Sequence, residues 1–458
     1  MHIIVIGAGV AGCSSFLFLR KYLGTERHTI RLFESYTNPL DTQNVIGGGL
    51  SLAPNGVRTI SLLGVGIVQR VVSSGFECSH AEVRSGAKGS KLGRIYMGSR
   101  ARYGWPNLLI HRASVHEALL AEALSQDAED GNIQFGKKVA SIERVEETGQ
   151  LQVTFEDGTA ERADLIIGAD GVHSKVRDLV TDQETRPEYQ GLTGLGGLVD
   201  LSVLAPYLAG AEDPCIMTFG EKGWFGVAPC GIRRERITAD AKVSAEATGP
   251  GKNEAMWWSV YSSEEVPPRD TPQSVIKAQL VSRFGDYEGA VGRIVNALDT
   301  GEEGIGKVRL LPRFTMPFLK EWHKTSEAGK ASVVLVGDAA HIQPPESGQG
   351  VSFAMEDSAA LAMLLKHYLD ANDNAVKSVQ QALSDYTELR KPRVEAIILE
   401  ALSRADHKKE KGPWEKWAMD WVMWLYFKTA TEAQNDLESK YNVEEAVRSY
   451  LQAKGKKI

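Results

Sequence analysis

Apolar residues in this chain follow three rhythms. Short β-branched runs stopped by glycine occur at Ile3-Ile4-Val5-Ile6, Leu165-Ile166-Ile167 and Val333-Val334-Leu335-Val336. Such runs predict buried strands of a parallel sheet covered on both faces. Helical spacing runs from Cys13 to Tyr22, from Ser114 to Leu124, and from Gly350 onward. In the last of these, Val351, Ala354, Met355, Leu361 and Leu365 share one face, with Glu356 and Asp357 on the other. Between Ile133 and Asp157 apolar and polar residues alternate, with turns at Glu147-Thr148-Gly149 and Asp157-Gly158, which predicts an antiparallel meander. Aromatic strands are expected at Trp224 to Pro229 and Met256 to Tyr261, and helices at Val376 to Leu399 and Glu415 to Phe427.

The resulting fold class is α/β: a Rossmann-like dinucleotide-binding domain, an inserted mixed-sheet domain and C-terminal helices. Expected boundaries are 1–180 for the first part of the nucleotide lobe and 181–311 for the inserted substrate lobe. The nucleotide lobe resumes over 312–370, and 371–458 is helical. At 458 residues the chain is long enough for two lobes, and a net charge of −7 with 43% hydrophobic residues gives no reason to expect nucleic acid. The densest cationic cluster, Arg233-Arg234-Glu235-Arg236, reads as a hairpin tip. Four scattered cysteines match neither a disulfide framework nor a zinc spacing, so a reducing, cytoplasmic setting is the default. The apolar N-terminus lacks a basic n-region and does not read as a signal peptide. Trp417 to Phe427 is too short to span a bilayer and contains Asp420, so a packing helix is expected there ahead of a membrane contact.

Candidate chemistry lies where strands end. Gly7-Ala8-Gly9-Val10-Ala11-Gly12 is a complete G-x-G-x-x-G between the first strand and its helix. Glu34, at the end of the next strand, is placed to accept ribose hydroxyls and to repel a 2′-phosphate, which points to FAD or NAD. Gly47-Gly48-Gly49 could let backbone approach a ligand or could be a flexible loop. Arg112, at a helix entry, could clamp a phosphate or pair with Glu117 or Glu122 on the surface. Two further strand ends carry Gly168-Ala169-Asp170-Gly171 and Gly337-Asp338-Ala339-Ala340-His341, the second followed by Gly348-Gln349-Gly350.

In this order the motifs resemble those of the single-component (group A) FAD-dependent monooxygenases, the para-hydroxybenzoate and salicylate hydroxylases, and look most like their fungal members. The resemblance covers about residues 1 to 370. It implies FAD contacts at Gly7, Gly9, Ala11, Gly12, Glu34, Gly47, Gly48 and Arg112, and at Asp170 and Asp338. It also implies that Pro345, Gly348, Gly350 and Val351 frame the flavin ring. His341 is expected to be structural. Three departures are Ile342 in place of the usual proline, Ser352 where asparagine is common, and the absence of an arginine from Gly191 to Val199.

No second G-x-G-x-x-G follows a strand, so NADPH or NADH is expected to act as a transient co-substrate. The reaction the resemblance implies passes one oxygen atom of O2, through a flavin C4a-hydroperoxide, to an aromatic ring or an alkene of a small secondary metabolite. Trp224 or Phe225, but not both, and Trp258 are expected to line the substrate pocket, since alternate strand residues face opposite ways. No metal, no transmembrane span and a monomer or homodimer are expected, and no catalytic acid or base is assigned. Two other readings stay open: a flavin dehydrogenase or reductase without oxygen insertion, and a non-catalytic prenyl-binding escort protein.

Overall fold

The three apolar runs become neighbouring strands because each is buried on both faces and satisfies its backbone only by pairing with the others. In this computed structural model, which describes the chain apart from residues 39–47, 182–186, 209–212, 232–234, 238–242, 246–253, 269, 301–305, 326–330, 344, 373, 406–411 and 457–458, they form the centre of a six-stranded sheet. Its order is His323–Thr325, Ser332–Leu335, Leu165–Gly168, His2–Ile6, Thr29–Phe33, Ile133–Gln134. Only the His323–Thr325 edge runs antiparallel. Ile133–Gln134, expected in the meander, instead pairs parallel with Leu32 and Phe33. The meander itself is Val139–Arg144, Leu151–Phe155 and Ala160–Ala163.

Register matters more than strand count. Ile4 lies opposite Ile166, and Ile166 opposite Val333. The three strands therefore end at one level, and the segments beginning at Gly7, Ala169 and Gly337 lie along a single edge. The helices Val10–Leu23 and Gly350–Ala371 pack side by side there, joined by Ser15 Oγ to Ser358 Oγ at 2.9 Å and by Ser358 Oγ donating to Ala11 O at 3.1 Å.

A second, seven-stranded sheet runs Arg309–Thr315, Glu188–Asp200, Glu254–Ser262, Gly223–Pro229, Cys215–Gly220, His80–Ser85, Ser90–Tyr96. The last two strands come from the first part of the chain, so the inserted lobe is not built from residues 181–311 alone. Helices Gln273–Phe284 and Gly289–Thr300 cover one face of this sheet. A small sheet of Gly49–Leu52, Leu108–His111 and Phe76–Glu77 lies between the two larger ones. Helix Ala375–Ala405 packs on Gly350–Ala371, and Pro413–Thr429 lies on strand Ser90–Tyr96.

Candidate functional site

Each glycine of the first turn meets a different constraint. Gly7 has φ +97°, and a Cβ on it would sit 2.6 Å from Ala169 O. A Cβ on Gly12 would lie 1.7 Å from Gly7 O, so the helix can approach the turn only without a side chain there. Gly9 meets nothing within 4 Å. The turn is thus packed on its protein side and open at the helix N-terminus, where no side chain caps the helix and no acid occupies the first turn. Bare N–H groups at such an end favour an anion.

Glu34 is buried and serves the turn itself. Its Oε2 accepts the Ala8 N–H at 2.7 Å, and Oε1 accepts from Ser35 Oγ at 2.9 Å and Tyr36 N at 3.0 Å. Three acceptances leave one of about four lone-pair positions for a ligand hydroxyl. The other side of the turn is held by His116, whose Nε2 bonds Ala8 O at 2.6 Å. Burial holds the His116 pKa below its ordinary value, so the ring is neutral. Sequence reasoning missed this residue, whose one signal is a histidine amid the apolar positions of helix Arg112–Gln126.

Gly48, with φ +116°, is joined to Arg112, whose backbone N–H donates to Gly48 O at 3.0 Å. Gly47 lies outside the described residues. The Arg112 side chain is exposed and has no hydrogen bond or ion pair among the described residues. Of the surface partners considered for it, Glu122 pairs instead with Arg70 at 2.5 Å and Glu117 is buried.

Asp170 turns back on its own segment. Its Oδ1 accepts from Ser174 Oγ at 2.5 Å, and Oδ2 from Lys175 N at 2.8 Å and Val176 N at 3.2 Å. Burial raises its pKa against these bonds. Arg177 then links the two acidic motifs, donating to Val172 O at 2.7 Å and Ala339 O at 3.3 Å.

At the third strand end, Gly337 has φ +59°, and a Cβ there would be 3.1 Å from Ala11 Cβ and 3.3 Å from Ala354 Cβ. Two helix N-termini therefore converge on this residue. Beside it Asp338 is half-buried and makes no hydrogen bond or ion pair among the described residues. The polar work in the protein falls to Asp357, which accepts from Gly337 N at 3.0 Å, His341 Nε2 at 2.6 Å and Arg390 Nε at 2.9 Å. Burial would raise the Asp357 pKa, but His341 and Arg390 hold it below the usual carboxylate range. His341 is thus a structural group, buried against Trp322.

The second helix N-terminus is fixed from below. Asn55 Nδ2 donates to Gln349 Oε1 at 2.8 Å and Glu356 Oε1 at 2.7 Å, and Glu356 pairs with Arg390 at 2.8 Å and Arg393 at 3.2 Å. Gly350 and Val351 open helix Gly350–Ala371 without a side-chain cap or an acid in its first turn. Pro345 and Gly348 are exposed, and Gly348 has φ +63° with nothing within 4 Å of its Cβ position.

The aromatic strands place Trp224 and Phe225 on opposite faces of the seven-stranded sheet. Phe225 stacks on Trp257 at 5.4 Å and 8° in the core under the two covering helices, so it faces away from the nucleotide lobe. A substrate pocket on the opposite face would therefore be lined from Trp224 and not from Phe225, since adjacent strand residues point opposite ways. Trp224 and Trp258 share the opposite face, 5.6 Å apart, with Trp258 half-buried and Trp224 packed behind it. Met256, on that face, would lie 2.2 Å from a Cβ on Gly49, so this face abuts the loop next to Arg112. Strand Glu188–Asp200 carries no arginine between Gly191 and Val199, but the neighbouring strand Arg309–Thr315 brings Arg313 close to it. Arg313 Nε lies 3.9 Å from the Cβ position of Gly194, and burial pushes the Arg313 pKa down to about 10.

The family described as an FAD binding domain matches residues 1–286 and 321–453. The chain belongs to this family. It is 31% identical over 403 residues to the 3-amino-4-hydroxybenzoate 2-monooxygenase of Streptomyces cremeus, covering 87% of this chain and 85% of that protein. A salicylate hydroxylase of Pseudomonas putida is 27% identical over 409 residues, covering 86% and 82%, and the hispidin-3-hydroxylase of Neonothopanus nambi is 25% identical over 408 residues, covering 88% and 87%. Among solved structures, Klebsiella pneumoniae HpxO complexed with FAD and uric acid aligns with a TM-score of 0.71 at 22% identity, covering 98% of this chain and 97% of that one. The chain is an FAD-dependent monooxygenase with NAD(P)H as co-substrate. These relatives do not favour the oxygen-sparing or escort readings.

The residues present fit the cofactor. Two uncapped helix N-termini, a carboxylate with no partner among the described residues and an open glycine turn form a cradle with donors and acceptors for a ligand.

Proposed function

We propose that FAD lies along the shared strand edge, and that a flat, apolar aromatic or alkene-bearing small molecule is hydroxylated or epoxidised against the Trp258 face of the seven-stranded sheet. The observation that carries this reading is the convergence at Gly337, where Ala11 and Ala354 bring two helix N-termini together beside Asp338.

Residue roles follow from that geometry. N–H groups of Gly9, Val10 and Ala11 receive the pyrophosphate, with Gly7 and Gly12 holding the turn. Glu34 accepts a ribose hydroxyl, and Arg112 with Gly48 binds further along the cofactor. Gly47, next to Gly48, is assigned to the same loop. Asp338 accepts from the ribityl or pyrophosphate portion, and Asp170 keeps its segment folded against the turn. Pro345, Gly348, Gly350 and Val351 frame the ring, where the helix N-terminus stabilises developing negative charge. Bound FAD would supply hydride acceptance from NADPH or NADH and the activation of O2. Trp258, backed by Trp224 and flanked by Met217 and Met256, excludes water and orients an apolar ring. Four buried free thiols suit a reducing, cytoplasmic setting, with a monomer or homodimer as the working unit.

Purified protein supplied with FAD, NADPH or NADH, isotopically labelled dioxygen and a panel of phenols and alkenes tests this. Substrate-stimulated NAD(P)H oxidation with label in the product is expected. Stimulated oxidation without label refutes oxygen insertion.

A further inference from the structure

Helix Pro413–Thr429 has two apolar faces, and only one is packed among the described residues. Met419, Met423 and Phe427 pack on the cluster that contains Trp224 and Trp258. Phe427 Cβ lies 2.4 Å from where a Cβ on Gly93 would stand, so the seat is tight. A buried polar tie sets the helix rotation: Lys416 Nζ bonds Asp420 Oδ1 at 2.5 Å and also Ser85, whose Oγ donates to Asp420 Oδ2 at 2.5 Å. Further along, Asn435 Nδ2 donates to Tyr96 O at 2.5 Å and Arg102 pairs with Asp436 at 2.7 Å. The helix cannot roll to bury its other side.

That other side carries Trp414, Trp417, Trp421, Val422 and Leu425, exposed by 81, 58, 56, 67 and 62%, together with Trp424. The four indoles run edge to face, with centroids 6.1, 6.3 and 5.6 Å apart. A soluble surface does not keep such a ridge without use.

We propose that this ridge lies in the headgroup layer of an anionic lipid surface. The helix is 17 residues long and includes Asp420, and no helix among the described residues is long and apolar enough to cross a membrane, so it lies in the plane. Tryptophan is the side chain best suited to that depth, with an apolar body and one polar N–H. Charge favours lipid over a second copy of this chain. Lys408, Lys409 and Lys411 precede the helix in sequence and Lys428 follows within it, its Nζ 5.0 Å from the Trp424 ring, in a chain whose net charge is −7. An anionic surface attracts Lys428 on the helix, and the sequence just before the helix adds three lysines against one acid, Glu410. The arrangement sets the aromatic wall of the seven-stranded sheet one helix away from a phase that concentrates apolar molecules. The docking itself does not depend on the substrate assignment.

The test uses the full-length FAD-loaded protein in vesicle flotation, with phosphatidylcholine alone and with roughly one-third phosphatidylserine. Flotation with the anionic vesicles, weakened by salt, and quenching of tryptophan emission by bromine-labelled lipid are expected. The double variant Trp417→Ser, Trp421→Ser is expected to keep its FAD content and melting temperature while its partition coefficient falls about tenfold per indole removed. Failure of wild-type protein to float, or emission untouched by the labelled lipid, overturns the proposal. So does concentration-dependent self-association that the double variant abolishes without any vesicle binding, since that assigns the ridge to a second copy.

Discussion

Replacing Asp338 by alanine separates ligand binding from folding more cleanly than any other change in this chain. The carboxylate is half-buried at the end of strand Ser332–Leu335 and has no partner among the described residues. Its removal strands no protein donor, so the melting temperature of the apoprotein should stay where it is, within the ~0.5 kcal/mol typical of a neutral substitution. The loss should appear only in cofactor affinity. One charge-assisted hydrogen bond contributes about 1.5–3 kcal/mol, and at about 1.4 kcal/mol per factor of ten the FAD dissociation constant should rise by roughly 10- to 150-fold. Titrating apoprotein with FAD and following flavin fluorescence measures this directly. Asp338→Asn, which keeps shape and loses charge, should fall between wild type and alanine. An Asp338→Ala protein that binds FAD as tightly as wild type would remove the residue from the site and, with it, the reading of the Gly337 convergence.

Asp357→Ala should do the opposite, lowering stability by about 3–5 kcal/mol because Arg390, His341 and the Gly337 N–H lose a buried partner; an unchanged urea midpoint would contradict the assigned network. Since the folded-state pKa of Asp357 is depressed, its contribution is complete above the ordinary carboxylate value and is lost as pH falls through the lower folded value, so wild type should lose stability over that acid range while Asp357→Asn should not show this component. Gly12→Ala should fail to fold stably, because its Cβ would meet Gly7 O at 1.7 Å, whereas Gly9→Ala, with nothing within 4 Å, should fold and bind FAD more weakly; equal melting temperatures for the two would refute the division of labour. Phe225→Ala should cost about 3–5 kcal/mol of stability with little change in KM, and Trp258→Ala should shift KM with a much smaller stability loss; the reverse pattern would place the pocket on the other sheet face.

Much of the nucleotide lobe was legible because its signals are local. A β-branched run, a glycine turn and an amphipathic helix each declare themselves within a few residues, and Gly7, Glu34, Asp170 and Asp338 all stand at strand ends where sequence reasoning puts ligands. What was not legible depends on distant partners. Arg390 and Arg393 sit on helix Ala375–Ala405, and nothing in their sequence surroundings says that they reach Glu356 and Asp357. Hairpin His80–Ser85 and Ser90–Tyr96 falls within the 1–180 boundary expected for the first lobe, yet it extends the second sheet through a parallel pairing with Cys215–Gly220. Alternation could say that Trp224 and Phe225 face opposite ways, but only the covering helices decide which way is out.

The chain of polar contacts from Asn55 through Glu356, Arg390 and Asp357 to His341 has a consequence for how this scaffold can change over generations. Directional bonds that share members respond to mutation jointly, so drift in any one of them is felt by all the rest. Apolar side chains on the facing sheet carry no such obligation and can be exchanged one at a time at modest cost. If substrate lies against the Trp258 face as proposed, that face can therefore be varied while the polar machinery of the nucleotide lobe stays fixed.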